Sequence, residues 1–170
     1  MVLLENALAS EVAKEVAPRN RALLVLLKMK KPGFRRVGLA ARLLSCAECY
    51  GDVEGFDGGS PKIRIVKREL IVEQSWNRRQ TVLVRLRFRH DSRSGRMALI
   101  GEDVEVIDRA AGIRQTVKTN LLAGTRMIEN DRFDLEKKRY VNTGKTNRNI
   151  PEFRRFIEDV DYRDYESLQD

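Results

Sequence analysis

The sequence predicts an α+β fold, with N-terminal helices, a central antiparallel β-meander and C-terminal helices. Three observations predict it. Apolar residues recur at helical spacing before residue 50, the period changes to two at residue 62, and helical spacing returns beyond Asn120. A chain of 170 residues suits one domain, 1–170, because roughly 150 residues bury about 70% of their unfolded surface around a single core.

The helical part spans 1–50. Leu4, Leu8 and Val12 carry a first helix, and Pro18 with Asn20 marks a break and a new N-cap. A second, Arg21 to about Lys30, is nearly all apolar through Leu27, which places it centrally, and Lys31-Pro32-Gly33 stops it. A third, about Arg35 to Cys49, sets Val37, Ala40, Ala41 and Leu44 opposite Arg35, Arg42, Cys46 and Cys49. Residues 51–61 hold four glycines, three acids and Pro61, and read as an exposed loop.

The sheet is expected over 62–118. Ile63 and Ile65 alternate with Lys62 and Arg64, and Leu70 and Val72 resume the pattern after a phase slip at Val66 that suggests a bulge. In Thr81 to His90, Val82, Val84, Leu86 and Phe88 form one face and Arg85, Arg87 and Arg89 the other. Asp91 to Gly95 supplies turn chemistry; Met97–Ile100, Val104–Asp108 and Ile113–Lys118 read as further strands, and loops this short require antiparallel pairing. In the last part, 119–170, Leu121, Leu122, Ile128, Phe133 and Leu135 suggest helix, and Asn142–Asn149 reads as a polar linker. A final acidic helix near Pro151 carries Phe153, Ile157 and Val160 on one face.

The net charge of +8 is concentrated. Residues 18–49 set eight basic side chains against Glu48, and 61–96 set eleven against Glu69, Glu73 and Asp91. Such blocks favour nucleic acid, an anionic membrane surface or acidic protein as partner. Alternate residues of a strand stand about 6.6–6.8 Å apart on one face, so Arg85, Arg87 and Arg89 make a guanidinium row suited to phosphates. Lys62, Arg64 and Arg68, then Arg114 and Lys118, join it if their strands are neighbours. The competing reading is a solvated face of alternating charge.

The other block is Lys28, Lys30, Lys31, Arg35, Arg36 and Arg42. It fits a helix-turn-helix with Arg35 and Arg36 opening the recognition helix, although any helical hairpin with a Pro-Gly turn gives the same pattern. Phe34, Trp76 and Phe88 are the only aromatics in the basic blocks, and the glycine-aromatic pattern of an RNA-recognition motif is missing, so stacking is not expected to dominate affinity.

Cys46-Ala-Glu-Cys49 with His90 falls short of four zinc ligands, and a pair at a helix end lacks the dipole that activates a redox thiol. His90 reads as a strand-end contact. Glu102, Asp103, Glu105 and Asp108 offer carboxylates for a divalent ion, but sequence spacing does not make them converge. With no glycine-rich phosphate loop, we assign no catalytic residue, metal or cofactor and expect no enzyme. Glu158, Asp159, Asp161, Asp164, Glu166 and Asp170 suggest a tail that folds back on a basic surface or meets a neighbouring copy.

These features lead us to expect a non-enzymatic nucleic-acid-binding protein, RNA ahead of DNA, weakly sequence-specific, in a homo-oligomer or a larger ribonucleoprotein or viral assembly. The alternatives are a structural or self-assembling protein of viral matrix type that binds acidic lipid or a partner, and a metal-dependent nuclease. No basic leader opens the chain, no apolar run reaches membrane-spanning length, and two cysteines make no disulfide scaffold. The expected location is cytoplasmic or nuclear, not secreted, with no transmembrane segment.

Overall fold

A computed structural model describes residues 2–5, 21–45, 61–77, 79–166 and 168, and these are almost entirely β-sheet. β1 (Val2–Glu5), β2 (Arg21–Lys28) and β3 (Phe34–Leu44) form a three-stranded antiparallel sheet in chain order. A second sheet of seven strands comprises β4 (Lys62–Val66), β5 (Glu69–Asn77), β6 (Thr81–Asp91), β7 (Arg96–Asp108), β8 (Ile113–Asn120), β9 (Thr125–Asp134) and β10 (Arg139–Asn149), each paired antiparallel with its chain neighbour. Among the described residues the helical elements are a 3-10 turn, Ile157–Asp159, and one α turn, α1 (Arg163–Glu166). Among the described residues no helix is long and apolar enough to cross a membrane.

The expected α+β class, with helices at both ends, is therefore corrected to all-β. At the N-terminal end the error has a local cause. β2 buries Leu23 and Val25 at period two, but its apolar run continues on the other face, and such a run does not by itself separate strand from helix. In β3, register shifts opposite Leu23 and Val25 insert extra residues. Bulges reset the alternation, so the buried positions Val37, Ala40 and Leu44 fall at spacings of three and four that imitate a helix. Lys31-Pro32-Gly33, read as a helix stop, lies in the β2–β3 hairpin loop, where Met29 N–H donates to Gly33 O (3.1 Å) and Gly33 takes φ +124°. Val2–Glu5 is a strand; the rest of the first expected helix, Cys46, Cys49 and loop residues 51–60 lie outside the described residues.

At the C-terminal end, Leu121, Leu122 and Leu135, which suggested helix, sit in the β8–β9 and β9–β10 turns, and the expected polar linker is most of β10. These strands carry few apolar residues because neither of their faces is deeply covered: of all the side chains in β9 and β10, only Asp131 is buried.

The meander expected over 62–118 is present, with two refinements. The slip at Val66 is a two-residue hairpin turn, Lys67-Arg68, both with positive φ (47° and 70°), as a type I′ turn requires. Met97–Ile100 and Val104–Asp108 belong to one strand, β7, whose core-facing parity changes at a bulge where Arg87 pairs with Gly101 but Phe88 with Leu99.

The core lies between the sheets. Leu23, Val25, Val37, Ala40, Leu43 and Leu44 meet Leu70, Val72, Trp76, Val82, Val84, Leu86, Phe88, Met97, Leu99 and Val104. Buried Gln74 ties the layers together: its Nε2 donates to Leu43 O (2.9 Å) and its Oε1 accepts from Ser45 N–H (2.8 Å). The C-terminal segment closes the same core. Residues 151–156 run extended beside the start of β7, with Leu99 N–H donating to Arg155 O (2.8 Å), and Ile157, Val160 and Tyr165 are buried. Gly38 permits this approach, since a Cβ there would stand 2.8 Å from Ile157 Cγ2.

Candidate nucleic-acid interface

Strand register decides what the basic residues face. With Val82, Val84, Leu86 and Phe88 in the core, Arg85, Arg87 and Arg89 stand on the outer face of the large sheet, and Lys62, Arg64, Arg114 and Lys118 share that face. The expected row exists, but carboxylates oppose it. Glu73 accepts from both Arg85 Nε (2.6 Å) and Arg64 (3.1 Å), Glu69 accepts from Arg89 (2.6 Å), and Asp131 accepts from Arg114 (2.8 Å). Asp103 lies 3.7 Å from Arg87, whose guanidinium lies against Gly101 where any Cβ would collide with it, and Lys145 meets Glu129 at 2.9 Å. Burial opposes ionisation of Asp131, but its bonds from Arg114 and Asn142 outweigh it and hold the carboxyl below the usual carboxylate range. Across β4 to β8 this face forms a concavity of about 410 Å³ lined by Lys62, Arg85 and Lys118 and also by Glu73, Asp103 and Glu105. The guanidiniums of this face therefore already have partners, whereas Lys62 and Lys118 make no ion pair among the described residues.

A further group of cations without carboxylate partners lies at one end of the molecule. Lys28 closes the β2–β3 hairpin opposite Phe34, Lys30 and Lys31 lie in its loop, and Arg35 and Arg36 follow on β3. They are strand and hairpin residues, so the helix-turn-helix reading falls. Arg35 donates to His90 Nε2 (3.3 Å), which brings this hairpin to the end of β6. There Glu69 pairs with Arg89, so the Lys67-Arg68 turn stands alongside, and the 92–95 turn carrying Arg93 closes the same end. Among the described residues, Lys28, Lys30, Lys31, Arg36, Lys67, Arg68 and Arg93 make no ion pair. Asp91 makes no ion pair with them. Its carboxylate is engaged within its own turn by the Ser94 side chain and by Arg93 and Ser94 N–H groups, which lowers its pKa from the ordinary value.

Two basic blocks about thirty residues apart in sequence thus converge on one end of the molecule. Of the expected site residues, Lys28, Lys30, Lys31, Arg35, Arg36, Arg68 and Arg89 lie at this end, whereas Lys62, Arg64, Arg85 and Arg87 lie along the outer face. Lys67, Arg93 and Arg154, whose charge acts on Asp91, join the end without having been singled out from sequence. Recognising Lys-Pro-Gly as a hairpin loop is the signal that leads to them.

The acidic candidates separate. Glu102 is on the core side of β7 and accepts from Tyr165 Oη (2.6 Å), Asp103 and Glu105 face outward, and Asp108 accepts from Ala111 N–H in the β7–β8 turn (2.9 Å). Among the described residues no three His, Cys, Asp or Glu side chains are grouped to hold a metal ion. The acidic C-terminal segment folds back on basic residues of its own chain: Glu158 meets Arg96 (3.0 Å), Asp161 meets Arg42 (3.6 Å) and Asp164 meets Arg155 (2.7 Å). Comparison with known proteins finds no matching family model, no matching curated protein and no matching solved structure.

Proposed function

We propose that this protein binds nucleic acid, RNA ahead of DNA, without catalysis and with weak sequence preference, through the basic end formed by the β2–β3 hairpin and the 67–68 and 92–95 turns. The observation that carries this reading is the convergence there of seven cations that have no carboxylate partner among the described residues. Basic side chains at loop tips track a phosphate backbone and release its counterions, which gives affinity without reading bases. Lys67 and Arg68 support it further. Both occupy left-handed backbone where Asn-Gly is favoured on stability grounds, and a turn that keeps two cations at that cost suits selection for charge.

The paired row on the outer face is the lesser contributor, because each guanidinium must exchange a carboxylate for a phosphate. The test compares two variants by oligonucleotide affinity against salt. Alanine at Lys30, Lys31 and Arg36 should flatten the slope by roughly 2–3 units, at 0.7–0.9 per contact. Alanine at Arg85, Arg87 and Arg89 should flatten it by less. Equal slopes in the hairpin variant and the unaltered protein would refute the assignment. A second reading, as a component of a larger assembly, is favoured by β4, which ends the sheet among the described residues and exposes Ile65 and Val66 there. Light scattering of an Ile65→Lys variant addresses it.

A further inference from the structure

Resting on the nucleic-acid reading, we infer that the strand taken at the basic end is single, and that one of its bases stacks on Phe34. The other two aromatics of the basic blocks, Trp76 and Phe88, are 2% and 0% exposed and serve the core, whereas Phe34 is 69% exposed, the most of any aromatic among the described residues. Its position is fixed. It is the last paired residue of the hairpin, opposite Lys28, followed by Arg35 and Arg36 and preceded by the loop that carries Lys30 and Lys31. An aromatic face in water, with Lys28 across from it, Arg36 two residues on along the same strand face and Lys30 and Lys31 in the adjoining loop, is the arrangement by which proteins hold unpaired bases while their phosphates are neutralised alongside. A duplex keeps its bases stacked inside and offers this ring only sugar and phosphate, so the exposed face gains nothing from it.

A lipid surface is the rival occupant, since Met29 is also exposed beside Phe34. The order of residues argues against it. Lys30 and Lys31 occupy the loop beyond the paired strands, so entry into a bilayer would carry two ammonium groups in ahead of the ring, whereas membrane-inserting tips lead with apolar residues. For nucleic acid the same order is favourable, because phosphates lie on both sides of a splayed base.

The test uses the full chain with oligouridylate, with the matching oligouridylate–oligoadenylate duplex and with vesicles containing phosphatidylserine. Phe34→Ala should weaken oligouridylate binding by about 5- to 150-fold, the equivalent of one stacked base, with little change for the duplex and an unaltered salt slope. Phe34→Trp should retain the affinity, and its added indole should be quenched by oligouridylate. Exposure of the site means that both variants fold as the parent does, which circular dichroism checks. If Phe34→Ala binds oligouridylate as tightly as the parent, or if the indole responds to vesicles and not to oligouridylate, the inference is overturned. If the parent binds neither nucleic acid form at low salt, the nucleic-acid reading itself fails, which is a distinct outcome.

Discussion

Substituting Ile157 tests whether the C-terminal segment belongs to the core or merely lies on it. Ile157 is fully buried in a 3-10 turn that packs on β3, and Ile157→Ala deletes three carbons from a site walled by Gly38 and Met97. Deletions of this kind cost 2–5 kcal/mol, and for full burial with little room to collapse we expect about 3 kcal/mol. At about 2–4 °C per kcal/mol for a chain of this length, the melting temperature should fall by roughly 6–12 °C. Gly38→Ala approaches the same contact from the other side. The added methyl would stand 2.8 Å from Ile157 Cγ2, well inside the usual 3.5–4.0 Å, so we expect a loss of about 1–3 kcal/mol. The double variant is decisive, because Ile157→Ala removes the atom that the methyl added at Gly38 would strike. Urea unfolding should then give a double variant no less stable than Ile157→Ala alone, a coupling of about 1–3 kcal/mol. If the two losses add to within about 0.5 kcal/mol, the segment does not pack on Gly38 and the reasoning fails.

Tyr165 should confer an alkaline sensitivity. Burial first, then the Glu102 carboxylate beside it, favours the neutral phenol and raises its pKa in the folded state, so its contribution is complete below the ordinary tyrosine value near pH 10 and is lost as pH rises beyond it. Tyr165→Phe should cost about 1–2 kcal/mol at neutral pH, and the difference from the parent should shrink above about pH 10; a constant difference across urea titrations at both pH values would contradict this. Replacing Lys67 with Asn and Arg68 with Gly relieves two left-handed residues and should raise stability by about 1 kcal/mol while lowering the salt slope of oligonucleotide binding by about 1.4–1.8. Gln74→Leu leaves Ser45 N–H and Leu43 O without their partner and should cost about 2–3 kcal/mol by thermal unfolding, whereas an unchanged midpoint would mean that the link between the sheets carries no weight.

What the sequence disclosed follows from how far each signal reaches. Alternation in Thr81–His90 is a property of neighbouring residues, and the strand lies where it indicated. β3 was hidden because its bulges convert period two into helical spacing, and β10 because a strand uncovered on both faces has no hydrophobic period. The basic row was legible as charge, but not its partners: Glu73 lies 12 residues from Arg85, Glu69 lies 20 from Arg89 and Asp131 lies 17 from Arg114, so only pairing register brings them together. The basic end was least legible, since it depends on how two sheets pack. The acidic tail, read from sequence as a fold-back or a contact with a neighbouring copy, supplies Ile157, Val160 and Tyr165 to the core of its own chain.

The β9–β10 hairpin buries no apolar side chain, and this sets how the molecule should come apart. Opening the hairpin sacrifices backbone bonds and surface ion pairs but exposes little hydrocarbon, so its amide protons should exchange through a partial opening nearly insensitive to denaturant. Amides of β5, β6 and the start of β7 are held by the shared core and should exchange only when the whole structure melts. The chain is therefore a sheet with two tiers of cooperativity, and the outer tier can be remade by mutation, or separated from its neighbour β8, at little expense to the inner one.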